Sequence, residues 1–452
     1  MKKNLFASLV IMASSVISLS ICAQDVPQRY IDEALDNNLV IKEKKVSLDK
    51  GLVALKEARS LFLPTTWFET QYSLAKGGRS IELPVGDLLN PVYKTLNQLS
   101  SANKFPTITN TSVQFLPNNF YDARIRTTMP LINPDIKINR DIKQQEISMQ
   151  QNEIDIYKRE LIKEIKIAYY NFLMSGESVR IYQNALQVVN ENLRVNQSLV
   201  VNGKGLPAYV SRAESEVSKV QSQLQSAMNE TENARAYFNF LLNKSFTDSI
   251  VTADIRLDQD AFPLSAVTDN TAAREEIKNL NISRGINENT LKMNRSFRVP
   301  RVNAFLDLAS QGFDFTVNNK SLYYLGGVQL QVPIFSGRRN LYKIEQTKLD
   351  ALDIELTTNN TKSQLELAAS ISKNNAASAY SNYQAAIRQH QSSQKYFNLI
   401  EKGYRAGVNS FIEFLDARNQ VTNSELQVSI NKYKTMVALA NYEREVASYS
   451  LK

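Results

Sequence analysis

One cysteine, one histidine, 14 glycines and 12 prolines are all that this chain of 452 residues holds of those types. Each shortage excludes something. With Cys22 alone there is no disulfide framework within the chain and no zinc–thiolate cluster. His390, set among polar residues in Arg388-Gln389-His390-Gln391, lacks the partners that a metal site or a catalytic base needs, and reads as a surface residue. So little Gly and Pro leaves few turns, so the regular elements must be long. After residue 24 no run of 18 apolar residues occurs, which excludes a membrane-spanning helix there. A mean hydropathy of −0.31 is likewise too polar for a helical membrane bundle. There is no dense basic block either: 53 Lys+Arg against 45 Asp+Glu spread a charge of +8 along the chain, without a nucleic-acid patch. No Ser/His/Asp grouping follows a strand–turn–helix pattern, and Gly203-Lys204-Gly205 lacks the rest of a phosphate loop. Enzyme, cofactor and metal signatures are all missing. What is present, 43% hydrophobic residues, is ample for a core.

Residues 1–23 read as a secretory signal peptide: Lys2 and Lys3, an apolar or small stretch from Leu5 to Ile21, then Cys22-Ala23-Gln24 as a processing site. Cleavage after Ala23 removes the only cysteine. Lipidation at Cys22 is the alternative, and Ile21 fits it poorly because a small residue is wanted there. An exported chain without a spanning helix is soluble, secreted, or a β-barrel of the outer membrane.

The two halves repeat one another. In the first (24–243), a helical stretch over about 28–61 runs into Leu63-Pro64 and a strand at about 65–74. A long polar loop over 75–119 follows, then a strand at about 120–129 closed by Pro130-Leu131. A very long helix next reaches an interruption at 202–207, and a second helix ends near Asn243. Residues 244–271 link this to the second half (272–452). There a helical stretch over 272–297 leads to strands at about 301–309 and 324–332, the latter closed by Pro333-Ile334. A long helix breaks at 405–409 and a last one runs to about Ser448. Pro130 to Pro333 is 203 residues, and Gly203 to Gly407 is 204, as is Ala213 to Ala417. Such constant offsets mark a duplicated helix–strand–strand–helix unit whose first loop is enlarged.

The strands alternate. Tyr121, Ala123, Ile125, Thr127 and Met129 face one way and Asp122, Arg124, Arg126 and Thr128 the other. This suits a sheet on a soluble core or a barrel with lipid outside and water inside, and lengths of about 9–11 residues match a bilayer crossing. Trp67, Phe68, Phe120, Tyr121, Tyr323 and Tyr324 would suit an interfacial girdle. The long helices span about 100 Å at 1.5 Å per residue, more than a compact domain needs. Their apolar positions recur at spacings of three and four, at 154, 157, 161, 165, 168 and 172, and again at Ile412, Leu415, Leu426, Ile430, Tyr433, Val437 and Ala440: a seam for antiparallel packing. Four strands cannot close a membrane barrel, for which about eight is the lower limit, so a spanning barrel needs several copies. Three would supply twelve strands.

This order, the Pro130-Leu131 and Pro333-Ile334-Phe335 endings, and the stretch from Tyr404-Arg405-Ala406-Gly407-Val408-Asn409 through Phe414-Leu415-Asp416-Ala417 resemble the TolC-like outer membrane efflux protein family over essentially the whole mature chain. The resemblance implies a mainly α fold with transmembrane β: a homotrimer whose 12-stranded outer-membrane β-barrel, surrounded by lipid, continues into a long periplasmic α-helical barrel. It implies a passive exit duct for small molecules or drugs, working with a periplasmic adaptor (membrane fusion) protein and an inner-membrane transporter, and needing no cofactor. It also implies a periplasmic constriction formed by Glu413, Asp416 and Tyr404, and adaptor-docking tips at Gly203, Leu206, Gly407, Asn409 and Ser410. Where relatives often have an arginine, this chain has Asn409, and Tyr209 stands where an acid can occur. Two other readings stay open: the exit duct of a type I protein-secretion system, and an exported coiled-coil scaffold that is not a channel.

Overall fold

The structure, a computed structural model, describes residues 25–449 and 451, except 254, 256, 258–266 and 268. The expected leader, with Cys22, and much of the 244–271 link lie outside the described residues. Among the described residues eight α-helices and six strands follow in the order α1 (Asp25–Asn37), α2 (Leu39–Ser60), β1 (Thr65–Ser73), β2 (Ser80–Leu83), α3 (Val85–Leu99), β3 (Thr111–Gln114), β4 (Phe120–Ile132), α4 (Pro134–Val201), α5 (Pro207–Leu241), α6 (Glu275–Arg295), β5 (Arg301–Phe313), β6 (Leu322–Gln331), α7 (Arg339–Arg405) and α8 (Phe411–Glu445). The described chain is mostly helical. None of its helices is long and apolar enough to cross a membrane.

Two compact units divide the chain. One takes residues up to Leu52, Gln145–Asn287 and Leu349 onward; the other takes Val53–Gln144 and Glu288–Lys348. In the first unit the seam positions Ile154, Leu161, Ile165, Ala168 and Phe172 are buried. Their core gathers around Tyr30, Tyr169 and Phe238, whose ring centroids are 5.0–6.1 Å apart. Two sequence expectations change here. The helical stretch over 28–61 is two helices, because the Asn38 carboxamide accepts from the amides of Val40 (3.0 Å) and Ile41 (3.2 Å) and so starts α2 anew. On α8 the seam begins at buried Phe411; Ile412, one position round the helix, is exposed.

The second unit is built on a four-stranded antiparallel sheet in the order β1-β4-β5-β6. It is open, and β1 and β6 are its free edges. Pro130 sits inside β4, not after it. Having no N–H to give, it coincides with a register shift between Pro130 and Ile132. The register sorts the alternation into two unlike faces. One cross-strand row is Phe68, Ile125, Leu308, Tyr324, and every residue on that face is uncharged. The other face carries Glu69, Asp122, Arg124, Arg126, Asp307 and Arg301. There Arg126 grips the fully buried Asp307 carboxylate with two hydrogen bonds, of 2.7 and 2.6 Å. The six aromatics expected to form one girdle are divided: Phe68, Tyr121 and Tyr324 are on the uncharged face, Trp67, Phe120 and Tyr323 on the charged one. They alternate along the strands, and alternation decides the face.

The expected polar loop at 75–119 is instead ordered. β2 pairs with β3, and α3 lies between them in the chain. Runs of four residues with turn-rich flanks are too short to announce strands by periodicity.

Candidate functional site

The turns that end α4 and α7 in the first unit are built alike. At the end of α4, Gly203 has φ +70° and the Lys204 amide donates to the Leu199 carbonyl (2.8 Å). At the end of α7, Gly407 has φ +76° and the Val408 amide donates to the Gly403 carbonyl (2.8 Å). These are Schellman endings, which need a residue in the left-handed region, and glycine adopts it without a Cβ penalty. The 204-residue offset is therefore a repeat of backbone geometry. α5 then starts with Pro207 in its first turn, whereas α8 starts with a capping box. Around the turns Val201, Leu206, Val408 and Ile412 expose apolar side chains to solvent.

Aromatic packing joins the two turns. Phe411 contacts Tyr209 (centroids 5.4 Å) and Tyr404 (6.0 Å), and Tyr404 also stacks on Phe414 at 5.0 Å. Burial raises the Tyr404 phenol above its ordinary pKa, against a hydrogen bond from the Asn196 side chain. Tyr209 thus holds the first turn to the second by its ring. Asn409 stays within its own turn, its side chain reaching Glu413 (3.4 Å), and Gly403 leaves the room that this side chain fills.

The two acids on α8 differ. The Glu413 carboxylate folds back on its own helix start, accepting from the Ser410 amide (2.7 Å) and the Ser410 hydroxyl (3.0 Å). Those bonds, the backbone one foremost, hold it below the usual carboxylate range. Asp416 is exposed and accepts from the Gln420 side chain (3.0 Å). His390 is half-buried, its Nδ1 3.0 Å from the Ser424 hydroxyl on α8. Among the described residues no three His, Cys, Asp or Glu side chains gather as metal ligands do.

Two features went unread in the sequence. Beside the turns, Arg418 of α8 lies 3.6 Å from Glu216 of α5, both about 4–5% exposed, while Arg212 meets the same carboxylate at 3.1 Å. The Arg418 Nε and Nη1 and the Glu216 Oε2 have no hydrogen-bond partner. Burial lowers the Arg418 pKa, against the nearby Glu216. Arg418 falls at the i+7 position from Phe411, on the buried side of α8, and that was the available signal. Farther along the helices, a charged belt surrounds the start of α6. Arg159 pairs with Glu275 (2.8 and 3.0 Å) and Arg274 with Glu276 (2.5 Å) and Glu445 (2.7 Å).

Burial pushes Glu275 and Glu276 up, yet the arginine hydrogen bonds hold both below the ordinary carboxylate pKa. A depressed folded-state pKa contributes stability above the unfolded value of about 4.3, and loses it as pH falls through the folded value. Thermal melts should therefore show this unit stable from pH 7 to about 5 and weakening below about 4. Glu276→Gln should flatten that acid limb; an unchanged limb removes the belt from the account.

Residues 273–442 match the family model described as "Outer membrane efflux protein". No curated protein matches the chain. Among solved structures, VceC of Vibrio cholerae, an outer membrane protein, superposes with a TM-score of 0.72 at 12% identity, over 94% of this chain and 98% of that one. The CmeC outer membrane channel of Campylobacter jejuni gives 0.72 at 14%, over 94% and 86%. The MtrE outer membrane channel of Neisseria gonorrhoeae, in its open state, gives 0.70 at 15%, over 94% and 89%. At such identities the likeness is one of fold. The resemblance drawn from the proline endings and the 404–417 stretch is borne out. Over residues 273–442 the sequence matches the outer membrane efflux protein family, and over nearly all of its length the chain shares the fold of these outer-membrane channels.

Proposed function

We propose that three copies of this chain form an exit duct: a 12-stranded barrel in the outer membrane continuing into a periplasmic helical tunnel, through which an inner-membrane transporter and a periplasmic adaptor export small molecules. One observation carries this reading, the uncharged face of the four-stranded sheet. Phe68, Ile125, Leu308 and Tyr324 are 48–81% exposed, and none of the described residues covers them. A sheet with such a face and two open edges is not stable alone in water. Lipid satisfies the face, and neighbouring copies satisfy the edges. The opposite face, with Arg126 and Asp307, then lines a wet lumen. A coiled-coil scaffold would have to cover the uncharged face with protein.

Within this reading the exposed Val201, Leu206, Val408 and Ile412 are the adaptor's apolar footholds at the tips. Three Asp416 carboxylates converging on one axis attract cations, and Asp416 carries more of that field than Glu413, whose charge is spent on its own helix start. The test is the mass of the detergent-extracted protein from outer membranes, expected near 150 kDa of protein, about three chains of 51.1 kDa. A water-soluble species of one or two chains would overturn the channel. In planar bilayers the same particle should lose cation preference with Asp416→Ala more than with Glu413→Ala.

A further inference from the structure

The 75–119 excursion presents a second uncharged surface. On α3 the positions Leu88, Val92, Leu96 and Leu99 follow one another at spacings of three and four and lie on one face. All four are exposed, Leu88 at 70% and Leu99 at 78%. Pro84, Pro91 and Thr95 complete that face, and no charged residue interrupts it.

The helix cannot roll over to hide this stripe, because its opposite face is tied down by three asparagines. The Asn90 carboxamide both donates to and accepts from the backbone of Ile108 (2.8 and 2.9 Å). Asn97 does the same with Phe105 (2.8 and 3.0 Å). Asn110 accepts from the Asp87 amide and donates to its carboxylate (3.2 and 2.9 Å). Gly86, buried against the Ile108 carbonyl, lets the helix approach that closely. The chain has thus fixed an apolar stripe outward.

The surroundings say what covers it. The excursion leaves and rejoins the sheet at the β1/β4 end, where Tyr72 and Tyr121 of the uncharged face stack on Phe315 (4.9 and 5.8 Å), an aromatic band of the kind found at a membrane–water boundary. The 75–119 excursion carries Lys76, Arg79, Lys94 and Lys104, against Glu82 and an Asp87 already held by Asn110. An uncharged helix face on an excursion of net positive charge, which springs from an aromatic band, fits an anionic lipid surface.

We propose that α3 is an interfacial helix that lies on the outer leaflet, with Leu88, Val92, Leu96 and Leu99 in the acyl layer and the basic side chains among anionic headgroups. It rests on the reading of the sheet as a membrane wall. It makes the long first-repeat excursion a membrane-contacting element of the duct.

The test uses single cysteines in the full mature protein, labelled with an environment-sensitive fluorophore and held in nanodiscs of phosphatidylcholine plus phosphatidylglycerol. Lipids carrying a doxyl group on the acyl chain should quench labels at Leu88 and Leu96 about twofold, and leave one at Lys94 on the helix flank nearly unchanged. A label at Leu330, on the uncharged sheet face, separates the two readings. Leu330 quenched with Leu88 and Leu96 unquenched overturns the interfacial helix and leaves the barrel standing. Leu330 unquenched overturns the barrel reading and this inference with it. Labels at Leu88 and Leu96 shielded from aqueous iodide but not reached by doxyl lipid would assign the stripe to a neighbouring copy, and that too overturns the proposal.

Discussion

Leu308→Arg is expected to destabilise the assembled protein by about 2–4 kcal/mol, the depth-dependent cost of a cationic side chain on a barrel's lipid face near the midplane. Leu308 sits in the middle of the uncharged face, between Ile125 and Tyr324. Were that face wetted, arginine at so exposed a position would change stability by no more than about 0.5 kcal/mol. Gln329→Arg is the matched control. Gln329 is exposed and pairs with Asn303 on the charged face, where a cation meets water and carboxylates. Urea unfolding of the detergent-extracted assembly reads both. Equal, small effects from the two substitutions would remove the lipid from the uncharged face.

Glu216→Leu should cost about 3–5 kcal/mol, because it leaves the Arg418 guanidinium buried with no carboxylate. Arg418→Met should cost less, since Arg212 remains at 3.1 Å from Glu216 and reaches solvent. The double variant should be close to neutral. A pair at 3.6 Å with two guanidinium nitrogens unbonded recovers little of its desolvation cost, and well-packed apolar side chains can replace it. The double-mutant cycle, followed by loss of helical signal in urea, gives the coupling directly. Equal effects from the two single variants would mean that Arg212 does not support Glu216. A double variant as unstable as Glu216→Leu would make the pair a net stabiliser.

What the residues disclosed and what they hid have physical causes. Long amphipathic helices and the glycines at Gly203 and Gly407 announce themselves, because 3.6-residue periodicity repeats over many turns and a left-handed backbone has few substitutes for glycine. β4 was legible for a similar reason: its charged residues Asp122, Arg124 and Arg126 alternate with uncharged neighbours, so that one face is charged and the other is not. α3 was not, because its polar face carries Asn90 and Asn97, which, like Asn110 beyond the helix, read as loop in sequence. The start of α2 was hidden likewise, since Asn38 interrupts an otherwise continuous helical pattern by one side-chain cap. At the turns, the resemblance grouped Tyr404, Glu413 and Asp416, but which carboxylate caps the helix at Ser410 depends on rotamers that spacing does not encode. The Arg418–Glu216 pair joins residues 202 positions apart, and nothing local in the sequence links them.

The sheet order has a further consequence. Its two open edges, β1 and β6, are different strands, and four antiparallel strands leave the β6 of one copy running opposite to the β1 of the next. In the proposed duct, copies would therefore join head to tail, each lending one edge to each neighbour, and a three-copy ring would close only if all three β1–β6 seams formed. A cell making equal amounts of sound chain and of chain with a ruined β1 edge would have only about one ring in eight free of damaged chain. Lesions on that edge should therefore be inherited as dominant, and lesions confined to the 75–119 excursion as recessive.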